Sequence, residues 1–300
     1  MKELFLNFKK RIEKDPSLVE ALCLSDKNGL IWSEHYTMNA KRNIYSHSKS
    51  FTSLMVGIAI DEKMLCEDTR LVDVFKDEIS KENYERLYGI KVKHLLSMSS
   101  GFGEQYLMGD QRVAGQGYPD YLQFMFSREL KFEPGSKFWY SNGDTYLLGR
   151  MVEKVYGKRF IQLCYERFFK AMDIGLPMWG VDPMGYCSCA SDRCRSIENM
   201  NKLGILFINK GVYNGQRIVS EEYVEKCSRK QISTEGNGWG DYSYQFWINP
   251  KEKGYRADGA YGQLTFIFEE QGYAFSIQRP EDDRGGKVIE IFTEEVLDKI

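Results

Sequence analysis

Three observations on the sequence predict a mixed α/β (α+β) fold: an antiparallel sheet flanked by helices, with an all-helical lobe inserted. A hairpin signal stands near the N-terminus, strand-like runs return only after about residue 240, and the stretch between reads as helix and loop. A sheet is therefore expected to draw its strands from both ends of the chain.

The elements follow in order. Leu4, Phe8 and Ile12 recur every fourth residue, the period of an amphipathic helix. "LVEALCLSDKNGLIWSEHY" holds two strand-like runs around Lys27-Asn28-Gly29, a hairpin turn. A helix is predicted from about residue 46 to 63. "VKHLLSMSSGFGE" reads as a helix broken by Gly101 and Gly103. Leu147, Leu148, Met151, Val152 and Val155 carry helical spacing. "RSIENMNKLGILFINKG" is another helix, stopped by Gly211 at its C-cap. Strands are predicted in "YSYQFWINP", "LTFIFEE" and "YAFSIQRP", then a closing helix through Val288, Phe292 and Val296. Residues 1–63 and 191–300 thus form the expected sheet domain and residues 64–190 the helical lobe.

Composition narrows the function. The chain has 300 residues, a formal net charge of −2 and 42% hydrophobic residues, enough for a large core. Near-neutral charge gives no electrostatic reason to expect nucleic acid or a membrane surface as partner. The 19 Tyr and 18 Phe suit a ring-lined cleft as well as a core. "MKELFLNFKKRIEKDPS" mixes apolar and charged residues and does not read as a secretory signal. No apolar run approaches the ~20 residues needed to cross a bilayer. A cytoplasmic protein is the expectation, and the seven cysteines are expected as thiols. Cys187, Cys189 and Cys194 cluster, but no histidine near them completes a metal set, so none is expected.

Two motifs carry chemistry. Ser46-x-x-Lys49 occurs once, and on a helix the two side chains share a face. A serine needs a base to take its proton, and a lysine serves only when neutral, a state favoured by burial and a helix N-terminus. The backbone N–H of Ser46 would face a developing oxyanion. Tyr140-Ser141-Asn142 is also unique in the chain. A phenol there relays protons if a cation such as Lys49 depresses its pKa, and the Asn142 amide would hold the lysine or a substrate. His47 points roughly 100° away from Ser46 on a helix and reads as structural, while His35 and His94 have no motif around them.

Ser46-x-x-Lys49 with "SFTSLMVGIAIDE", then "VKHLLSMSSG" and "PGSKFWYSNGDTYLLG", resembles the β-lactamase-related serine hydrolases. That group holds class C β-lactamases, DD-peptidases, and esterases and amide hydrolases of the 6-aminohexanoate-dimer hydrolase kind. "MNKLGILFINKGVYNGQRIVSEEYV" and "GAYGQLTFIFEE" extend the resemblance over nearly the whole chain. It implies that Ser46 is acylated, that Lys49 is its partner in proton transfer, and that Tyr140 is general base and acid. Asn142 would position Lys49 and substrate, and Ala260 after Gly259 would supply a second oxyanion N–H. No cofactor or metal is implied, and the expected substrate is a small ester, amide or β-lactam-like molecule. A true β-lactamase or DD-peptidase and an inactive penicillin-binding-like receptor are the alternatives.

The sequence departs from this family at two places. Its third motif usually carries Lys, His or Trp two residues before a glycine, a cation in β-lactamases, whereas Ala257-Asp258-Gly259 stands here, with Arg256 the nearest substitute. Alanine cannot bind an antibiotic's carboxylate, which shifts the expectation towards esters and amides. A Gly-rich stretch after Trp179 and Asp182 is replaced by Cys187-Ser188-Cys189-Ala190, with Cys189 a candidate to face substrate. Residues 104–121 read as a loop rimming the cleft, with Tyr106 and Tyr118 its best pocket-lining candidates.

Overall fold

The structure is a computed structural model that describes residues 1–112, 117–236 and 238–300. Residues 113–116, within the expected cleft-rimming loop, lie outside the described residues.

Six antiparallel strands form the main sheet: β1 (Ala21–Asp26), β2 (Gly29–His35), β3 (Trp247–Ile248), β4 (Tyr255–Gly259), β5 (Gln263–Phe268) and β6 (Tyr273–Gln278). Their order is β2-β1-β6-β5-β4-β3, so strands from the two ends of the chain meet at the β1–β6 pair, Ala21 opposite Gln278. Side chains alternate across the sheet as the pleat demands. Leu22, Leu24, Leu264, Phe266, Phe275 and Ile277 point to one face, against α1 (Lys2–Ile12) and the closing helix Gly285–Glu295. Phe5 stacks on Phe275 with ring centroids 4.8 Å apart, and Phe266 on Phe292 at 4.0 Å. Cys23, Ser25, Thr265, Ala274 and Ser276 point to the other face and are all buried.

The inner face receives α2 (Ser48–Asp61) and the helix Ile197–Ile208. Asn201 of the latter bonds Ser25, Ser276 and two strand carbonyls, which satisfies a polar stripe in an otherwise apolar layer. Gly204 lets that helix lie close, since a Cβ there would come 2.5 Å from the Ala274 Cβ. Helix α2 is buried from Ser48 to Ala59. Its apolar residues join one continuous core with residues of the middle segment, including the helix α3 (Asn142–Tyr156), which ends at Gly157 with φ +64°. The middle segment and the inner face of the sheet therefore share one core, while the outer face of the sheet packs a separate one with the two terminal helices.

One predicted strand is mostly absent. "YSYQFWINP" contributes only Trp247–Ile248 to the ladder. Gln245 adopts φ +66°, which breaks the extended run, and its side chain donates to the Leu95 and Leu96 carbonyls while accepting from Thr145 Oγ1. The segment ties the sheet to the lobe instead of extending the sheet.

Candidate active site

Ser46 lies in a single 3-10 turn, Tyr45–His47, that feeds directly into α2, and Lys49 is in the first turn of that helix. Tyr45 holds φ +47°, a left-handed conformation that β-carbon sterics disfavour, so the entry to the turn is bent sharply. Ser46 is half-buried while Lys49 is only 1% exposed. The Lys49 Nζ lies 2.9 Å from Ser46 Oγ, 2.6 Å from Asn142 Oδ1 and 3.0 Å from the Ala190 carbonyl oxygen. All three partners are neutral, so burial prevails and holds the ammonium well below its ordinary pKa; nearby Arg112 lowers it further and Asp192 opposes.

Tyr140 closes the group from the segment just before α3. Its ring centroid is 4.9 Å from Lys49 Nζ, its side chain is hydrogen-bonded to that of Ser46, and its ring stacks on Trp247 at 5.9 Å. The next residue, Ser141, caps α3 by accepting the Gly143 N–H at 3.1 Å, which fixes Asn142 as the helix's first residue. Asn142 Nδ2 then donates to the Leu107 carbonyl at 2.9 Å, so the amide oxygen is the end presented to Lys49. The expected depression of the phenol by Lys49 does not occur. Burial raises the Tyr140 pKa, with Asp258 adding to the rise, because the desolvation that discharges an amine also disfavours a phenolate.

Strand β4 ends against the Ser46 turn. A Cβ on Gly259 would sit 2.2 Å from the Ile44 carbonyl oxygen and 3.1 Å from the His47 nitrogen, so only glycine allows this approach. Ala260 follows in a 3-10 turn, Ala260–Gly262, next in the chain to the glycine that lies against the Ser46 turn. Arg256 and Asp258 lie on one face of β4, as i and i+2 must. The guanidinium donates to Asp258 at 2.9 Å, to Asn249 Oδ1 at 3.0 Å and to the Trp239 carbonyl at 2.9 Å. Asp258 thus borders the cleft near Tyr140, and Arg256 is committed to it.

Other candidates take structural places. His47 is buried, bonded through Nε2 to Thr265 Oγ1 at 2.8 Å, and held neutral, its pKa lowered to about 3 by burial and by Arg193. Cys189 turns away from the cleft: its sulfur packs against Gly149 of α3, where a Cβ would clash at 2.1 Å. Trp179 donates its Nε1 to the Ser191 carbonyl at 2.9 Å, and Asp182 accepts from the Tyr146 hydroxyl and two backbone N–H groups. Both thereby brace the ribbon that delivers Ala190. Tyr106 and Tyr118 pack on Phe124, and their loop reaches the site through its backbone, at Leu107. Among the described residues no group of three or more His, Cys, Asp or Glu is placed to hold a metal ion, and no helix is long and apolar enough to cross a membrane.

Side-chain motifs brought Ser46, Lys49, Tyr140 and Asn142 into view, but the Leu107 and Ala190 carbonyls had no such signal. The Arg256–Asp258 pair had one, since a strand places residues two apart on one face.

A serine, a desolvated lysine and a tyrosine thus meet where the Tyr45–His47 turn, α2 and the segment before α3 come together. The chain belongs to the β-lactamase family, whose model matches residues 21–284, and this is a family of hydrolases. Over 249 residues it is 26% identical to the 6-aminohexanoate-dimer hydrolase of Paenarthrobacter ureafaciens, covering 75% of this chain and 62% of that protein. It is also 30% identical over 145 residues to a protein described as fimbrial assembly protein FimD, serogroup D, of Dichelobacter nodosus, covering 48% of this chain. The chain spans about a third of that relative's length, 36%. Two solved structures share the fold: a family VIII carboxylesterase (TM-score 0.73, 16% identity, 98% of this chain and 97% of that one) and a penicillin binding protein from Bacillus halodurans (TM-score 0.74, 16% identity, 95% and 99%).

Proposed function

We propose that this protein is a serine hydrolase of small esters or amides that works through an acyl-enzyme on Ser46. The observation carrying this reading is the set of three contacts around Lys49. A neutral amine has two N–H bonds and one lone pair. The Asn142 amide oxygen and the Ala190 carbonyl can only accept, so they take both N–H bonds. The lone pair is left for the Ser46 hydroxyl, 2.9 Å away, which makes Lys49 the base.

The directions of the two pKa shifts divide the labour. Lys49, lowered, takes the Ser46 proton as Oγ attacks the substrate carbonyl. Tyr140, raised and still protonated, gives its proton to the leaving oxygen or nitrogen and recovers one from the Lys49 ammonium beneath its ring. The N–H groups of Ser46 and Ala260 face the oxyanion. Water then repeats the sequence on the acyl-enzyme and releases the acid.

Asp258 beside Tyr140, with Arg256 already engaged three times, offers no free cation for a substrate carboxylate at that edge. This favours esters and amides over carboxylate-bearing β-lactams. The amide hydrolase and carboxylesterase among the related proteins support the same choice. The test is hydrolysis of p-nitrophenyl butyrate beside nitrocefin, with Ser46→Ala as control. Ester turnover that exceeds nitrocefin turnover and disappears in a folded Ser46→Ala variant is expected. Turnover surviving in Ser46→Ala would overturn the reading.

A further inference from the structure

Two segments close over Lys49 and Asn142, and each supplies one carbonyl to the site. The loop leading to Arg112 contributes Leu107, which accepts from Asn142 Nδ2, and the segment ending at Asp192 contributes Ala190, which accepts from Lys49. Neither carbonyl belongs to a long strand or helix. An ion pair joins the two segments: Arg112 Nη1 donates to Asp192 Oδ2.

Resting on the acyl-enzyme reading above, we propose that Arg112 and Asp192 are positioning residues for Lys49. Their ion pair clamps the two carbonyl-bearing segments together and sets the balance of charge facing the amine.

Backbone detail supports a built contact rather than a chance surface pair. Asp192 holds φ +63°, the left-handed conformation that aspartate, like glycine and asparagine, adopts more readily than other residues. Gly180 lies against it so closely that a Cβ would come 2.7 Å from the Asp192 Cβ. The Gly180 N–H donates to the Asp192 carbonyl at 2.8 Å, and Trp179 Nε1 donates to the carbonyl of Ser191. A bent, braced backbone therefore aims the carboxylate at Arg112. The Arg112 Nε is buried with no hydrogen-bond partner, so Asp192 is the contact that anchors this guanidinium.

The pair is also the source of charge that Lys49 senses. Arg112 disfavours its protonation and Asp192 favours it. The other charged or titratable neighbours are otherwise engaged. His47 faces Thr265, Asp144 accepts from Ser100, Asp258 is paired with Arg256, and Arg193 lies over the ring of Phe51 at 3.6 Å. Tyr140 is a neutral phenol at neutral pH.

The two halves of the pair should therefore move the acid limb of kcat/KM in opposite directions. Asp192→Asn leaves Arg112 unbalanced, favours neutral Lys49 and shifts the limb to lower pH. Arg112→Gln leaves Asp192 unbalanced and shifts it to higher pH. Each shift is expected at about one to two pH units, the scale of one charge ~6–10 Å away at an effective dielectric near ~20, and it should shrink in high salt. Both variants should also lose kcat, and Arg112→Lys should restore the limb. The measurements are p-nitrophenyl butyrate hydrolysis against pH and, without turnover, the 13Cε NMR titration of Lys49 assigned with Lys49→Arg. Opposite shifts support the proposal. Shifts in one direction, or none, overturn it. Should Asp192→Asn not fold, Arg112→Gln decides alone, since only an upward shift is compatible. A wild type without ester turnover would sink the acyl-enzyme reading, while the NMR titration would still decide the clamp.

Discussion

Asp144, in the first turn of α3, is fully buried, and its second carboxyl oxygen has no hydrogen-bond partner. Burial pushes its pKa from 3.8 up to about 7, against the opposing effect of hydrogen bonds from Ser100. A raised carboxyl contributes stability that is complete below the unfolded value and is lost as pH climbs through the folded one. The gap of about 3 units corresponds to roughly 4 kcal/mol between the two limits. Asp144→Asn removes that titration and leaves an acceptor for the Ser100 hydroxyl. The new amide N–H2 is buried without a partner, which costs about 1–3 kcal/mol. The variant should thus be less stable than wild type at pH 4 by that amount and more stable at pH 8 by about 1–3 kcal/mol. Urea unfolding followed by circular dichroism at half-unit steps from pH 4 to 8 measures both curves. Parallel curves, with no crossing, would refute the claim that this carboxyl is neutral in the folded protein.

Gly259→Ala places a methyl 2.2 Å from the Ile44 carbonyl oxygen, so backbone must move. Its kcat should fall by at least ~10², the cost of a displaced oxyanion donor, with a smaller change in KM. Tyr140→Phe keeps the ring on Trp247 and removes the proton donor. It should lose ~10²–10⁴ in kcat with amide substrates and less with p-nitrophenyl esters, whose leaving group departs without protonation. Equal losses on both substrate types would contradict Tyr140 as the acid.

The architecture was legible because its periodicities are local. Leu4, Phe8 and Ile12 announce α1, and Lys27-Asn28-Gly29 announces the first hairpin. The segment before Trp247 misled because alternation in "YSYQFW" is a local property, whereas the role of Gln245 is set by carbonyls some 150 residues away in sequence. The site divides in the same manner. Ser46, Lys49, Tyr140 and Asn142 stand out because their chemistry is in side chains at telling intervals. Leu107 and Ala190 act through main-chain oxygens that any residue possesses, so nothing in their identity marks them. The protonation pattern was half visible: a lysine at a buried helix entry was expected to be neutral, but the same burial raises Tyr140, and only the packing around the phenol reveals it.

Joining β1 to β6 has a consequence for how the molecule is made. During synthesis on the ribosome the Ser46–Lys49 turn emerges early, yet the strand that flanks it at Gly259 and the two that complete the layer beneath come more than 200 residues later. The nascent chain must therefore keep α2, apolar along most of its length, from sticking elsewhere until its floor arrives. A chain cut short before residue 255 would keep the packing of that helix on the middle segment but leave its sheet-facing side uncovered, with Ser46 present and the strand that carries Gly259 missing.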